Sequence, residues 1–127
     1  MRNLIPLFAL ATIAAPASAA IPTGPLPDEA RAAVMQSIND KLRDSETARW
    51  RWPDVPETSG LTYCGWLNAK NAYGAYTGYR PYAVILDKGA KGWFSRLVSL
   101  AEREAVEVIV RSQCAAKGYD MSGPPPE

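Results

Sequence analysis

The residues best suited to bind a ligand lie close together in the middle of the chain, between positions 66 and 80. They offer aromatic, amide and cationic side chains, and they are Trp66, Asn68, Lys70, Asn71, Tyr73, Tyr76, Tyr79 and Arg80. Tyrosine supplies rigid, amphipathic contact area at a low entropic cost, and asparagine beside it adapts its hydrogen bonds to a partner. No acidic residue occurs from residue 58 to residue 86. The pattern therefore predicts a binding surface for a neutral or mildly anionic partner, such as a glycan or a protein loop.

The same segment also has a purely structural interpretation. The backbone can turn sharply at Gly74 and Gly78, because glycine tolerates positive φ. A long hairpin, or a short extra strand, would then place its tyrosines against the core or across neighbouring strands. In extended structure Tyr73 and Tyr79 point to one face and Tyr76 points to the other. The three rings can therefore form one flat strip only if the turns between them change the direction of these side chains. The sequence leaves both interpretations open.

The chain contains no histidine, so Ser-His-Asp catalysis, Cys-His catalysis and histidine-based metal sites are excluded. Neither GxGxxG nor GxxxxGK(S/T) occurs, and we expect no catalytic residue, no metal site and no cofactor. An alternative is a small cell-wall-directed hydrolase or lyase that uses a carboxylate pair. Its candidates are Glu57 and Asp87, the acids nearest the binding segment, with Lys70 as a partner.

Residues 1–20 have the three parts of a secretory signal peptide. Arg2 supplies the positive charge, residues 4–15 form a short apolar run, and small residues follow at the expected cleavage site. We expect cleavage near Ala19 or Ala20, which places the mature protein in the periplasm or outside the cell. The apolar run is too short to span a bilayer, so we expect no transmembrane anchor.

Removal of residues 1–20 leaves 107 of the 127 residues, enough for one domain with a single core. Arg2 is the only charge lost, so 13 basic residues (14 − 1) balance 13 acidic ones. A balanced chain has no broad basic face, and we therefore expect no nucleic-acid partner.

Cys64 and Cys114 are the only cysteines, and an even count in an exported chain favours one disulfide between them. The bridge would close a loop of about fifty residues, for which the chain-entropy model gives roughly 4 kcal/mol of stabilisation. The alternative is a pair of free thiols, which no histidine is present to activate. We predict the disulfide.

Periodicity predicts a helix followed by three strands. The helix begins at Pro27, and four apolar residues spaced by four form its core face: Ala30, Val34, Ile38 and Leu42. The strands are predicted at 48–52, 61–67 and 79–86. In the first strand we place Trp50 and Trp52 in the core, and Arg49 and Arg51 on a solvated face.

A second, long helix is predicted to begin near Trp93, after a turn at 87–92. Its apolar stripe comprises Phe94, Val98, Ala101, Ala105, Val108 and Ile109. Cys114 projects away from this stripe at helical spacing. Either the helix bends or ends near Arg111, or another element covers its last turn, and the sequence does not choose between these arrangements.

The predicted fold class is therefore α+β. An N-terminal helix, a small and mainly antiparallel sheet of three or four strands, and a long C-terminal helix packed on the sheet form one domain over residues 27–119. Residues 21–26 are predicted to form a flexible lead, and residues 120–127 a disordered, proline-rich tail. The disulfide ties the sheet to the second helix.

The run CGWLNAKNAYGAYTGYRPY, residues 64–82, and the preceding RDSETARW resemble a family of small exported proteobacterial proteins of unknown function. Members of that family carry a CGxVNAKNxxGGYxGxxxF-like motif after a DPxSARF segment. The matching positions are Ala48, Arg49, Trp50, Cys64, Gly65, Asn68, Ala69, Lys70, Asn71, Gly74, Tyr76, Gly78 and Tyr82. This chain departs from the family pattern at Leu67 and at Ala75, and its DSETARW segment lacks the proline. The alanine at position 75 argues against an obligatory positive φ there. The resemblance implies an exported single domain and no particular activity.

Together these observations predict a non-catalytic, exported binding module that uses the Tyr/Gly/Asn-rich segment to contact an envelope protein or a glycan. An inhibitor that inserts residues 68–80 into another molecule's cleft is one form of this hypothesis. Besides the hydrolase, a further alternative is a structural component of an envelope assembly. Its contact surface would be formed by Arg49 and Arg51, or by the Trp93 end of the second helix. The sequence does not specify the oligomeric state.

Overall fold

The computed structural model describes residues 6, 8–11 and 20–126 of the chain. Most of the predicted signal peptide, residues 1–20, and the last residue of the predicted tail lie outside the described residues. Within the described part of the chain, no helix combines the length and the apolarity needed to cross a membrane.

Two helices and one four-stranded sheet make up the described fold. In chain order the elements are α1 (Asp28–Asn39), β1 (Arg49–Arg51), β2 (Thr62–Asn68), β3 (Arg80–Gly89), β4 (Gly92–Leu100) and α2 (Glu104–Ala116). The strands lie in the order β1-β2-β3-β4, and each pair of neighbours is antiparallel. The prediction of an α+β fold with a small, mainly antiparallel sheet is confirmed.

The first helix, α1, begins where the sequence predicts it but ends at Asn39, so Leu42 of the predicted core face lies beyond the helix and packs against the core from the following turn. Asp28 and Glu29 place negative charge in its first turn, where the helix dipole favours such charge. Ala30, Val34 and Ile38 are fully buried, as their spacing of four predicts. The buried face of α1 packs on β4 and β3.

The two helices cover opposite faces of the sheet. On one face, the hydroxyl oxygens of Ser37 in α1 and Ser95 in β4 lie 2.9 Å apart. On the other face, the Cys64–Cys114 disulfide joins β2 to α2, with the two Cα atoms 6.1 Å apart. Because successive side chains of a strand point to opposite faces, Tyr63 belongs to the half of the core under α1 and Cys64 to the half under α2.

The predicted start of the second helix near Trp93 is wrong, because β4 occupies this part of the chain and pairs with β3. From Trp93 to Val98, half-buried and exposed residues alternate, which is the period of a strand. A two-residue connection at Ala90 and Lys91, followed by Gly92 at φ 108°, reverses the chain as a hairpin. The apolar residues of β4 fit both a helical and a strand period, and the cross-strand pairing with β3 decides between them.

The apolar stripe predicted for the second helix is also wrong. Four of its members are between 51% and 64% exposed: Phe94, Val98, Val108 and Ile109. The helix α2 instead buries Val110 and Cys114, and Val106 one turn earlier packs against the same core. These three residues are spaced by four and form the true core face, which explains how Cys114 reaches Cys64. The predicted disulfide is confirmed.

An aromatic layer connects β1 to the core. Trp50 and Trp52 stack with their ring centroids 5.4 Å apart, and Trp50 meets Tyr82 edge to face at 5.7 Å. Tyr63 lies 6.2 Å from Trp52 and 5.9 Å from Tyr119, measured between ring centroids. Both tryptophans are half-buried and pack against the core, as the alternation in β1 predicts.

The segments that flank α1 and α2 also pack on this core. Ile21 and Leu26 of the predicted lead are buried. Between them, Gly24 exchanges two backbone hydrogen bonds with Val55, of 2.9 and 2.7 Å. Beyond α2, Met121 at the start of the predicted tail is buried as well. Both flanking segments therefore contribute to the packing of the domain.

Candidate functional site

The chain between β2 and β3 folds as a small hairpin, termed here the apical hairpin (residues 69–79). Its two arms meet at an antiparallel bridge between Lys70 and Tyr76. The backbone N–H of Asn71 donates to the carbonyl oxygen of Ala75 at 2.8 Å. The segment is thus a turned hairpin, the structure that its glycine and asparagine content favours.

Two asparagine side chains fix the apical hairpin at its tip and at its base. At the tip, Asn71 Oδ1 accepts hydrogen bonds from the N–H groups of Tyr73 at 2.9 Å and Ala75 at 3.2 Å. At the base, Asn68 Oδ1 accepts a hydrogen bond from the N–H of Gly78 at 3.1 Å. Local bonds of this kind hold a turn in one conformation, so the hairpin is shaped before any partner binds.

The turns of the apical hairpin use glycine where the backbone requires it. Gly74 has a φ of 78° and Gly78 has a φ of 99°, both in the region that other residues rarely adopt. No non-glycine residue in the described chain has a positive φ, and this includes Ala75. The alanine that departs from the family motif therefore fits the hairpin without strain.

Tyr76 is held between two cations at the side of the apical hairpin. The guanidinium carbon of Arg49 in β1 lies 4.0 Å from the centroid of the Tyr76 ring, and Lys70 Nζ lies 5.5 Å from it. The Tyr76 hydroxyl donates to the carbonyl oxygen of Thr47 at 2.7 Å. Ring and hydroxyl are both engaged within the protein, so Tyr76 ties the hairpin to β1.

Trp66 and Tyr79 also belong to the scaffold. The guanidinium carbon of Arg51 lies 4.8 Å from the Tyr79 ring centroid, next to the Arg49 contact in β1. Trp66 is fully buried in β2, and Arg111 of α2 lies 4.9 Å from its ring centroid. The cationic face predicted for β1 therefore lies against tyrosine rings.

Tyr73 differs from the other aromatic residues of this segment. It lies at the tip of the apical hairpin and is 94% exposed, more than any other large apolar or aromatic side chain in the described chain. Its backbone N–H is bound by Asn71, so the position of its Cα is fixed while its ring lies in solvent. The apical hairpin thus presents a single aromatic side chain on a rigid backbone.

A cavity of about 290 Å³ lies behind the apical hairpin, between the chain after α1 and the chain before α2. Among the described residues that line it, the charged ones are Lys41, Arg43, Lys70, Arg80 and Glu102. Its apolar lining comprises Leu42, Leu67, Ala69, Ala72, Leu100 and Ala101. This cavity, termed the cationic cavity, brings together three of the predicted binding residues, Lys70, Asn71 and Arg80.

Lys41 and Arg43 line the cationic cavity, although neither is among the residues predicted from the sequence to form the site. They follow α1 in the chain, and the packing of α1 on the sheet brings them to the apical hairpin. One signal was present in the sequence: Leu42, the last residue of the predicted core face, lies between them. A cation on each side of a core residue is placed at the edge of the core.

The carboxylates considered for a hydrolase are surface groups. Glu57 and Asp87 are both exposed, and Asp87 Oδ1 accepts a hydrogen bond from the N–H of Lys88. Lys70 follows the end of β2, where Leu67 pairs with Arg80 of β3. Asp87 lies seven residues (87 − 80) further along β3 than Arg80, which is roughly 23 Å at the rise of a strand. The described residues also contain no group of three His, Cys, Asp or Glu that could hold a metal ion.

Three tyrosines of the core are neutral structural residues. Burial raises the pKa of Tyr63 and of Tyr82 well above the ordinary value, and raises that of Tyr119 to about 12. The Tyr63 hydroxyl donates to the carbonyl oxygen of Pro53 at 2.8 Å. The Tyr82 hydroxyl is buried without a hydrogen-bond partner among the described residues. These phenols contribute to packing and not to the candidate site.

Comparison of the chain with protein-family models, with curated proteins and with solved structures found no match. The geometry of the apical hairpin and of the cationic cavity carries the functional assignment.

Proposed function

We propose that the protein is an exported, non-catalytic binding module that recognises a partner in the cell envelope through the apical hairpin. In this proposal Tyr73 inserts into a cleft of an envelope protein, and the arms of the hairpin contact the edges of that cleft. The observation that carries the proposal is the 94% exposure of Tyr73 on a backbone that Asn71 already fixes.

The rigidity of the apical hairpin favours binding, because little conformational entropy remains to be lost when the partner closes around it. Asn68 holds the base of the hairpin and Tyr76 ties its side to β1, so the sheet supports the tip from two directions. Tyrosine has two side-chain torsions, and fixing its ring costs less than fixing a longer side chain of similar area. Tyr73 therefore has the properties of a residue that dominates the energy of an interface.

The charges around the apical hairpin favour a partner whose surface is neutral or acidic. Lys70 belongs to the hairpin, Arg43 and Arg80 lie behind it, and no acid occurs from residue 58 to residue 86. Cations beside a contact raise the rate of association with an acidic surface and disfavour a basic one. The proposed partner is therefore a protein with a neutral or acidic cleft.

The described structure offers less support for the two other functions. Glu57 and Asp87 are exposed, and Asp87 lies near the end of β3 that is remote from Lys70. The β1 surface considered for an envelope assembly has Arg49 and Arg51 stacked on tyrosine rings. A flat contact there would compete with the interactions that hold the apical hairpin in place.

The experiment that tests the proposal is capture of the partner from an envelope extract of the cells that make the protein. The mature, oxidised protein is the bait, and Tyr73→Ala is the test variant. Phe94→Ala is the matched control, because Phe94 is an aromatic residue of β4 that is 60% exposed and lies far from the apical hairpin. The captured partner is identified by mass spectrometry and its affinity is measured with purified components.

We expect the wild type and Phe94→Ala to capture the same protein, and Tyr73→Ala to bind it about 30-fold more weakly or not at all. Equal affinity of Tyr73→Ala and the wild type would show that the hairpin tip is not the contact. If the wild type captures a glycan and Tyr73→Ala does not, the hairpin tip is still the contact, but the partner is a glycan and not a protein.

A further inference from the structure

Among the described residues, the lining of the cationic cavity holds more positive than negative charge. Lys41, Arg43 and Arg80 line it, and within the described chain none of these three side chains forms an ion pair. Lys70, the fourth cation, contacts the ring of Tyr76. The whole chain has 14 basic and 13 acidic residues, so four cations around one acid are a local excess.

The floor of the cationic cavity is apolar and continuous with the core. Leu67 of β2 is 3% exposed and Ala101 is fully buried, and both line the cavity. Leu42 and Leu100 widen this floor on the two sides, and both pack against the core. A cavity with an apolar floor and a cationic rim suits a molecule that has an apolar body and an anionic group.

We propose that the cationic cavity binds a short anionic amphiphile, an apolar chain of about six to eight carbons that ends in a carboxylate or a phosphate. The chain of the ligand lies on Leu67 and its neighbours. The anionic group pairs with the rim, where Arg43 and Arg80 offer guanidinium groups that bind oxyanions in a bidentate manner. This site is separate from Tyr73 and goes beyond the proposed function.

The size and the lining of the cationic cavity disfavour larger and more polar ligands. About 290 Å³ is at the lower limit of small-molecule sites, so a nucleotide or an oligosaccharide would extend far outside it. Asn71 lines the cavity, but its amide oxygen already accepts two backbone N–H groups. The neutral side-chain groups left to bind sugar hydroxyls are the Thr77 hydroxyl and the amide nitrogen of Asn71, whereas an amphiphile needs apolar contact and charge.

The first part of the test is calorimetric titration of the mature protein with octanoate, octyl phosphate and octanol. Octyl phosphate and octanol share the same octyl chain, and octanoate has one methylene fewer, worth about fourfold in affinity. A larger difference between the probes therefore reports on the anionic group. We expect at least one of the two anions to bind at least about tenfold more tightly than octanol. Shortening that anion from eight to six carbons is expected to weaken binding about fifteenfold, because two buried methylenes are lost. The relative affinity of octanoate and octyl phosphate identifies the preferred anionic group.

The second part compares variants of the rim. Arg43→Ala and Arg80→Ala are each expected to weaken binding of the preferred anion about tenfold. Lys88→Ala is the matched control, an exposed cation at the far end of β3, and is expected to bind as the wild type does. Arg43 is exposed, so its substitution tests the rim without disturbing the fold.

Tyr73→Ala separates this inference from the proposed function. That variant is expected to bind the anionic probe as tightly as the wild type does, and to bind the envelope partner more weakly or not at all. The inference is overturned if octanol binds as tightly as both anions, or if the two arginine variants bind the anion as the wild type does. It is also overturned if neither anion binds at about 1 mM.

Discussion

Asn68 in β2 accepts a hydrogen bond from the backbone N–H of Gly78 at 3.1 Å, across the base of the apical hairpin. Asn68 is 7% exposed, so its amide is held in place by the surrounding core. A residue of a central strand thus fixes a turn ten residues further along the chain. The hydrogen bond from Gly78 to Asn68 thus fixes the base of the apical hairpin to the sheet.

Substitution Asn68→Ala is expected to loosen the base of the apical hairpin. The hydrogen bond to Gly78 is lost, and the free energy of unfolding is expected to fall by about 1 kcal/mol. Amide hydrogen exchange is expected to accelerate at Gly78 while it stays slow in β3. The matched variant Asn71→Ala is expected to accelerate exchange at Tyr73 and Ala75 instead. Unchanged exchange at Gly78 in Asn68→Ala would contradict this role.

Gly65 is required by the close approach of Tyr82 on the neighbouring strand. A Cβ atom at Gly65 would lie 2.6 Å from Cζ of the Tyr82 ring, and Tyr82 is fully buried. Gly65→Ala is therefore expected to lower the free energy of unfolding by about 1–3 kcal/mol, measured by urea denaturation.

The Tyr82 hydroxyl provides the control for this prediction, because it is buried without a hydrogen-bond partner in the described chain. Tyr82→Phe removes that hydroxyl and is expected to leave stability unchanged or to raise it by about 1 kcal/mol. In the Tyr82→Phe background, Gly65→Ala is expected to destabilise less than it does in the wild type. An equal loss in both backgrounds would show that the hydroxyl of Tyr82 is not the obstacle.

The disulfide between Cys64 and Cys114 closes a loop with a sequence separation of 50. The double variant Cys64→Ala/Cys114→Ala is expected to lose about 4 kcal/mol of stability. This is a large share of the roughly 5–15 kcal/mol that a domain of ordinary stability has. Urea denaturation of the variant and of the reduced wild type measures the loss, and an unchanged midpoint in both would refute the estimate.

The buried phenols predict a loss of stability at alkaline pH. In the folded protein, burial raises the pKa of Tyr63 and Tyr82 well above the ordinary value and raises that of Tyr119 to about 12. In the unfolded chain these tyrosines lose their protons at about pH 10. The free energy of unfolding is therefore unaffected by these groups below about pH 10, and it falls as the pH rises above that value. The urea midpoint is expected to decline between about pH 10 and 12, and to decline less in Tyr119→Phe. A midpoint that stays constant to about pH 12 would contradict this prediction.

The parts of the fold that depend on local patterns could be predicted from the sequence. The spacing of Ala30, Val34 and Ile38 fixes α1, and the alternation around Trp50 fixes β1, because each period describes one buried face. The disulfide could be predicted from the number of cysteines and the expected export.

The strand β4 could not be predicted in this way. Trp93, Phe94, Leu97 and Val98 satisfy a helical period as well as a strand period, and the deciding interaction is the pairing with β3. The wrong start of the helix also displaced its predicted core face. Cys114 therefore projected away from the predicted stripe, although it lies on the true core face with Val110.

The residue types of the candidate site were predictable, but their separate roles were not. Tyr73 and Tyr76 have the same side chain and similar neighbours in the sequence. Arg49 and Thr47, from an earlier part of the chain, bind Tyr76 and leave Tyr73 in solvent. Roles that depend on such distant contacts cannot be read from the local sequence.

Site-specific photo-crosslinking in the cells that make the protein tests directly whether the apical hairpin contacts a partner. A benzophenone amino acid replaces Tyr73, and in a matched control it replaces Phe94, which is also an exposed aromatic residue. We expect one discrete crosslinked complex with an envelope protein from position 73 and none from position 94. No crosslink from position 73, or the same products from both positions, would contradict the assignment of the apical hairpin as the recognition site.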